Sequence, residues 1–103
     1  MEAGVTAITA VDAAEALELL LNGLEPNLIL SDVEMPNMNG WEFLEYVKTD
    51  TNFGHVPVVM VTSLDAERYR DLAARLGASD YIVKPFGAKD LERVLEKFCS
   101  VAA

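Results

Sequence analysis

Basic residues are scarce in this chain of 103 residues: eight Lys and Arg stand against 17 Asp and Glu, for a net charge of -9. That field repels phosphate backbones and anionic headgroups, so direct binding to nucleic acid or to membranes is not expected. Cysteine is nearly absent, with Cys99 the only one. It cannot close a disulfide within the chain, and no charged segment followed by an apolar core and a cleavage site opens the sequence, so a reducing, cytoplasmic setting is expected. No uninterrupted apolar run approaches the roughly 20 residues that span a bilayer. Repeats, linkers and low-complexity tracts are also missing. What remains is 51% hydrophobic and 24% charged, the balance of a globular chain. The length suits one hydrophobic core and not two, which predicts a single domain over residues 1–103.

Short apolar runs alternate with helix-period segments, the pattern of a parallel sheet covered by helices. A first strand is expected over 5–10. Asp12, followed three residues later by Glu15, resembles a capping box and opens a helix to residue 21 that ends at Asn22-Gly23. Residues 27–32 contain Leu28-Ile29-Leu30, apolar without alternation, as in a strand buried on both faces. A turn over 36–40 precedes a helix carrying Trp41, Phe43, Leu44 and Val47, and a polar loop follows over 49–55. A second buried strand is expected over 56–62, with Pro57 near its start, where a missing donor is tolerated. A helix over 65–76 stopping at Gly77, a strand over 80–83 and a closing helix over 88–98 complete about four strands and four helices.

Three of these strands end in reactive or polar side chains: Asp32, the pair Thr62-Ser63, and Lys84. The C-terminal edge of an open α/β sheet is where ligands bind. A carboxylate, a hydroxyl and an ammonium converging there suit phosphoryl chemistry, as nucleophile, hydrogen-bond donor and counter-charge. Taken singly, each has a blander reading as a turn former, a strand residue or a solvated cation.

The words around them alter that reading. DVEMPNMNG (Asp32 to Gly40), PVVMVTS (Pro57 to Ser63) and GASDYIVKPF (Gly77 to Phe86) closely resemble the three signature segments of response-regulator receiver domains of two-component signalling, and TAVDAAEAL (Thr9 to Leu17) is similar to the family's second strand and helix. The resemblance implies a flavodoxin-like, doubly wound parallel sheet, of family order 2-1-3-4-5. It implies that Asp32 accepts a phosphoryl group from a histidine kinase or phosphotransfer protein. Thr62 matches the switch hydroxyl, Lys84 the lysine that contacts the phosphoryl oxygens, and Tyr81 the aromatic that moves with the threonine. Magnesium would be held by Asp32 and the backbone carbonyl of Glu34. The Lys84-Pro85 bond is cis in many relatives, and Ser63 stands where a small residue leaves access to the acceptor. The receiver output surface corresponds to the helix from Asp65, the strand at Tyr81 and the last helix, and a downstream protein target would dock there.

The sequence departs from that pattern at its start. The family's first strand, which ends in two adjacent acidic residues, and its first helix have no counterpart here, so the fold is expected to be truncated at the N-terminus. Asp12 is no substitute, since it matches a helix cap. Magnesium wants near-octahedral oxygen ligands, so weak magnesium binding and slow phosphorylation are expected. Losing a central strand removes four or five buried apolar side chains at roughly 1.5 to 3 kcal/mol each, a sum comparable to a whole domain's stability. Three outcomes follow: the strand from Val5 pairs directly with the one from Leu28, two copies complete each other, or another polypeptide supplies the unit. Self-association through the missing-strand region is the favoured expectation, because exposed edges and apolar patches invite it.

Two further functions compete with the phosphoacceptor switch. One is a phosphorylation-independent receiver-like interaction module, favoured by the missing acidic pair. The other is a phosphatase or phosphomutase with an aspartate nucleophile, opposed by Glu34 where a second Asp is needed. No classical enzymatic turnover is expected. His55 is read as a solvated loop side chain, Cys99 as a small hydrophobe, Trp41 as a packing residue, and Glu42 and Glu45 as a solvated helix face.

Overall fold

The computed structural model describes residues 7–10, 12–34 and 39–98. Residues Val5 and Thr6 of the expected first strand, Pro36 to Met38 of the expected turn, Met1 to Gly4 and Cys99 lie outside them. The element order is β1 (Ala7–Ala10), α1 (Ala13–Leu21), β2 (Leu28–Asp32), α2 (Gly40–Thr49), β3 (Val58–Thr62), α3 (Glu67–Arg75), β4 (Asp80–Val83) and α4 (Ala88–Phe98). This is the expected alternation of four strands and four helices. Among the described residues no helix is long and apolar enough to cross a membrane.

All neighbouring strands pair in parallel, in the order β1-β2-β3-β4. Right-handed crossovers running the same way across a sheet put their helices on the same face. The packing agrees: Ala16 and Leu20 of α1, Phe43, Leu44 and Val47 of α2, and Ala73 of α3 share one core with Ile8, Ile29, Val58 and Met60. The opposite face is covered by α4, whose Val94 and Leu95 pack on Leu28, Val59, Val61 and Ile82. Strands β2 and β3 are therefore apolar on both sides, which is why their hydrophobic runs do not alternate.

The gap expected between the first two strands is closed. β1 lies directly against β2, with Ala7 opposite Leu28, Ile8 opposite Ile29 and Thr9 opposite Leu30. This is the first of the three outcomes, and it removes the unpaired edges through which self-association was expected. It works because Ile8 stays in the main core while Ala7 and Thr9, exposed on the other face, demand little cover.

Several boundaries differ from expectation for local reasons. α3 starts at Glu67 rather than at Asp65, whose carboxylate instead pairs with Arg70 at 3.2 Å. β3 starts at Val58, because the Val56 N–H turns back to the Phe53 carbonyl at 2.9 Å and the Val56 carbonyl accepts from the Lys48 ammonium. Pro57 contributes only its carbonyl to the ladder, accepting from the Ile29 N–H at 2.9 Å. Asp12 caps α1 by accepting from Ala14 rather than from the residue after it. The full capping box belongs to α2 instead, where Asn39 and Glu42 exchange side-chain to backbone bonds of 2.9 and 3.3 Å. Gly40, expected in a turn, is the first residue of that helix. Gly77 takes φ of +102° after α3, as a stop requires.

Candidate functional site

Asp32 and Thr62 are the last residues of β2 and β3, and Lys84 follows the last residue of β4. Parallel pairing brings these three ends to one edge of the sheet, and the Lys84 N–H donates to the Thr62 carbonyl at 2.7 Å, fixing β4's exit beside β3. Asp32, Glu34, Thr62, Ser63 and Lys84 line one cleft of about 70 Å³. The three residues singled out from the sequence thus meet around a space of small-anion size. The Lys84-Pro85 peptide is cis, as expected.

The Lys84 ammonium lies 2.8 Å from an Asp32 carboxylate oxygen. Their side chains are 46% and 22% exposed, so the pair sits at the mouth of the cleft and is reachable from solvent. Beneath it Ser31 is fully buried and donates its hydroxyl to the Asp32 carbonyl at 3.0 Å. Gly40 backs the same segment: its N–H donates to the Val33 carbonyl at 2.5 Å, and a Cβ there would press on the Asp32 carbonyl and stand 2.5 Å from the Val33 Cα. Only glycine fits, so the start of α2 and the end of β2 approach at backbone distance.

Thr62 is buried, and its hydroxyl accepts from the Leu64 N–H at 3.1 Å. Tyr81 does not line the cleft. It is buried in the main core, and its phenol donates to the Leu64 carbonyl at 2.7 Å. Burial pushes the phenol's pKa above its ordinary value, with the Asp65 and Tyr69 charges acting the same way against Arg70. The Arg70 guanidinium rests 5.1 Å from the Tyr81 ring centre and also holds Asp65. One loop residue, Leu64, therefore joins Thr62 to Tyr81 through its two backbone groups. Sequence reasoning missed it, since no side-chain type marks a backbone bridge.

The remaining candidates divide cleanly. Trp41 packs against the core and stacks on Tyr69, with ring centres 6.5 Å apart, in keeping with a packing role. His55 is exposed, and Glu42 and Glu45 lie on the exposed face of α2. Among the described residues there is no group of three or more His, Cys, Asp or Glu placed to hold a metal. Asp32 and the Glu34 carbonyl offer magnesium one carboxylate and one carbonyl, an incomplete set of protein ligands.

A family profile for the response regulator receiver domain matches residues 1–96. The chain is 35% identical over 95 residues to the sensor histidine kinase CheAY of Helicobacter pylori, a match covering 91% of this chain and 12% of that protein. It is 38% identical over 90 residues to the probable transcriptional regulator ycf27 of Cyanophora paradoxa, covering 86% and 36%. The chain thus spans about a third or less of these two curated relatives. The crystal structure of the manganese-bound form of response regulator Rcp1 is similar with a TM-score of 0.71 and 28% identity, over 89% of this chain and 73% of that one.

Proposed function

This chain belongs to the response regulator receiver domain family of two-component signalling, and on that premise we propose that, acting as one domain, it accepts a phosphoryl group on Asp32 and switches a partner-binding face in response. The family is a signalling family, and its members among the relatives include a histidine kinase and a transcriptional regulator. The observation that carries the reading is the Lys84 ammonium 2.8 Å from the Asp32 carboxylate, in a cleft that also holds Thr62.

In the proposed step an Asp32 oxygen attacks the phosphorus of a phosphohistidine on a kinase or phosphotransfer protein. The P–N bond breaks, the acyl phosphate forms, and the departing imidazole regains a proton. Lys84 offsets the negative charge that builds on the phosphoryl oxygens. Thr62 then donates its hydroxyl to one of them, giving up its present bond from Leu64. Leu64 also anchors the Tyr81 phenol, so the same movement reaches the surface formed by α3, β4 and α4, where a downstream protein would bind. We assign the exchange to the cytoplasm.

Magnesium binding is expected to be weak. Asp32 and the Glu34 carbonyl fall short of its ligand number, and no two acidic residues are adjacent anywhere before Asp32. That same shortage favours the second reading, a phosphorylation-independent interaction module in which Lys84 simply neutralises Asp32. Intact-mass spectrometry after incubation with magnesium and acetyl phosphate separates them. The switch predicts a single phosphoryl adduct that Asp32→Asn abolishes. An unmodified chain that still binds its partner would leave the module.

A further inference from the structure

A cavity larger than the Asp32 cleft stands apart from it. It lies at the opposite edge of the sheet, between the turn leading into β2 and the loop leading into β3, and its volume is about 330 Å³. The length of β2 separates the two sites by about 13 Å. Leu20, Leu21, Leu24, Pro26, Phe53 and Val56 form its apolar walls, and Glu25, Asn52 and His55 add a polar lining of similar extent. This volume lies in the range of pockets that take an organic group. Leu21 is 67% exposed, and Leu24 stands out beside it. Among the described residues, most of the exposed large apolar side chains gather on this one stretch.

Charge says what kind of group would enter. No Lys, Arg or His occurs before Lys48, so the α1 side of the cavity has no basic side chain, and on the opposite wall His55 is the one basic-type residue of the lining. Glu25 lines the cavity. Glu18 precedes Leu21 by three residues, which puts it on the same face of α1. Lys48, the nearest ammonium in sequence, turns inward and donates to the Gly54 and Val56 carbonyls. A cavity with apolar walls and two carboxylates at its α1 side disfavours acidic partners and complements an apolar side chain flanked by cations.

We propose that this cavity is a second docking site, independent of Asp32, for a basic segment of a partner protein that inserts an apolar side chain between Leu21 and Phe53. Leu21 and Leu24 supply the contact area and Glu18 and Glu25 the attraction.

The test uses the full chain, isotopically labelled, with two fluorescent peptides as probes: one of alternating Leu and Lys, the other of alternating Leu and Glu. The Leu/Lys peptide is expected to bind, with amide shifts concentrated in residues 20–26 and 52–56, and to weaken about tenfold in high salt. Leu21→Ser, at a surface position, is expected to weaken it about tenfold without unfolding the chain. Glu25→Lys is expected to do the same, whereas Glu96→Lys on the exposed side of α4 leaves binding within about twofold. Shifts centred on the Asp32 cleft or on α4, equal binding of the Leu/Glu peptide, or an unaltered affinity in Leu21→Ser would each overturn the proposal.

Discussion

Asp80 and Lys84 stand at the two ends of β4 and carry opposite charges into different partners. Lys84 meets Asp32 in the cleft, while Asp80 accepts from the Arg93 guanidinium of α4 at 2.6 Å and from the Tyr81 N–H at 2.7 Å. Burial alone would raise the Asp80 pKa, but those two bonds and the charges of Arg93 and Lys97 outweigh it and hold the carboxyl below its ordinary value. A carboxyl whose folded pKa is lowered contributes stability above its unfolded pKa and loses it as pH falls through the folded value. Asp80→Asn is therefore expected to lower the urea midpoint at pH 7 and to lower it less in acid, as the pH falls through the folded value and the carboxyl becomes neutral. Because solvent screens a pair this exposed, the shift at pH 7 should not exceed about 0.5 M. Equal shifts at pH 7 and in acid would mean that packing, and not the ion pair, ties α4 to β4.

At the scale of the elements, α2 is the helix on which the acceptor's position depends most. Its first residue, Gly40, touches the backbone of Asp32 and Val33, and its capping box fixes where the helix begins. Gly40→Ala puts a methyl against main chain that cannot swing aside. It is expected to cost about 1 to 3 kcal/mol, as overpacking does, and to slow phosphorylation of Asp32 beyond what the stability loss explains. Adduct formation measured well below the melting temperature checks this, and a rate equal to that of the unaltered chain would show that the close approach does not position the acceptor. The glycine was visible in the sequence, but only as the end of a turn. Its role needs two segments brought together in space, which no local pattern records. The same reason divides what was legible from what was not. Buried runs such as Leu28-Ile29-Leu30 and the amphipathic stripe of α4 announced their elements, because burial on two faces or one leaves a period in the chain. Asp32, Thr62 and Lys84 were legible as strand-end residues, and the parallel sheet carried them to one edge. Leu64 was not legible, since it acts through its peptide groups. The direct pairing of β1 with β2 was legible only as one of three outcomes, because Ile8 and Ile29 can satisfy the core in that register or across an intervening strand.

At the scale of the molecule, that pairing leaves an unequal pair of faces. Three helices cover one side of the sheet, and α4 alone covers the other, leaving Ala7 and Thr9 exposed and Leu30 half-buried on the β1 side. A second copy laid on this strip would bury apolar surface, but each copy brings a charge of -9. Repulsion between like-charged domains is long-ranged in dilute buffer and is screened within about 10 Å at 0.1 M salt, whereas apolar burial is not weakened by moderate salt. Association of two copies on this face, if it occurs, would therefore grow as salt rises, opposite to the behaviour expected for the basic segment at the Leu21 cavity. Sedimentation velocity at a fixed micromolar concentration is expected to show monomer at low salt and a rising average mass near 0.5 M, with Thr9→Lys holding the chain monomeric throughout. A mass that stays constant with salt, or that rises equally in Thr9→Lys, would mean that the open strip is too small to join two copies and that α4 with Leu30 already provides the cover this face needs.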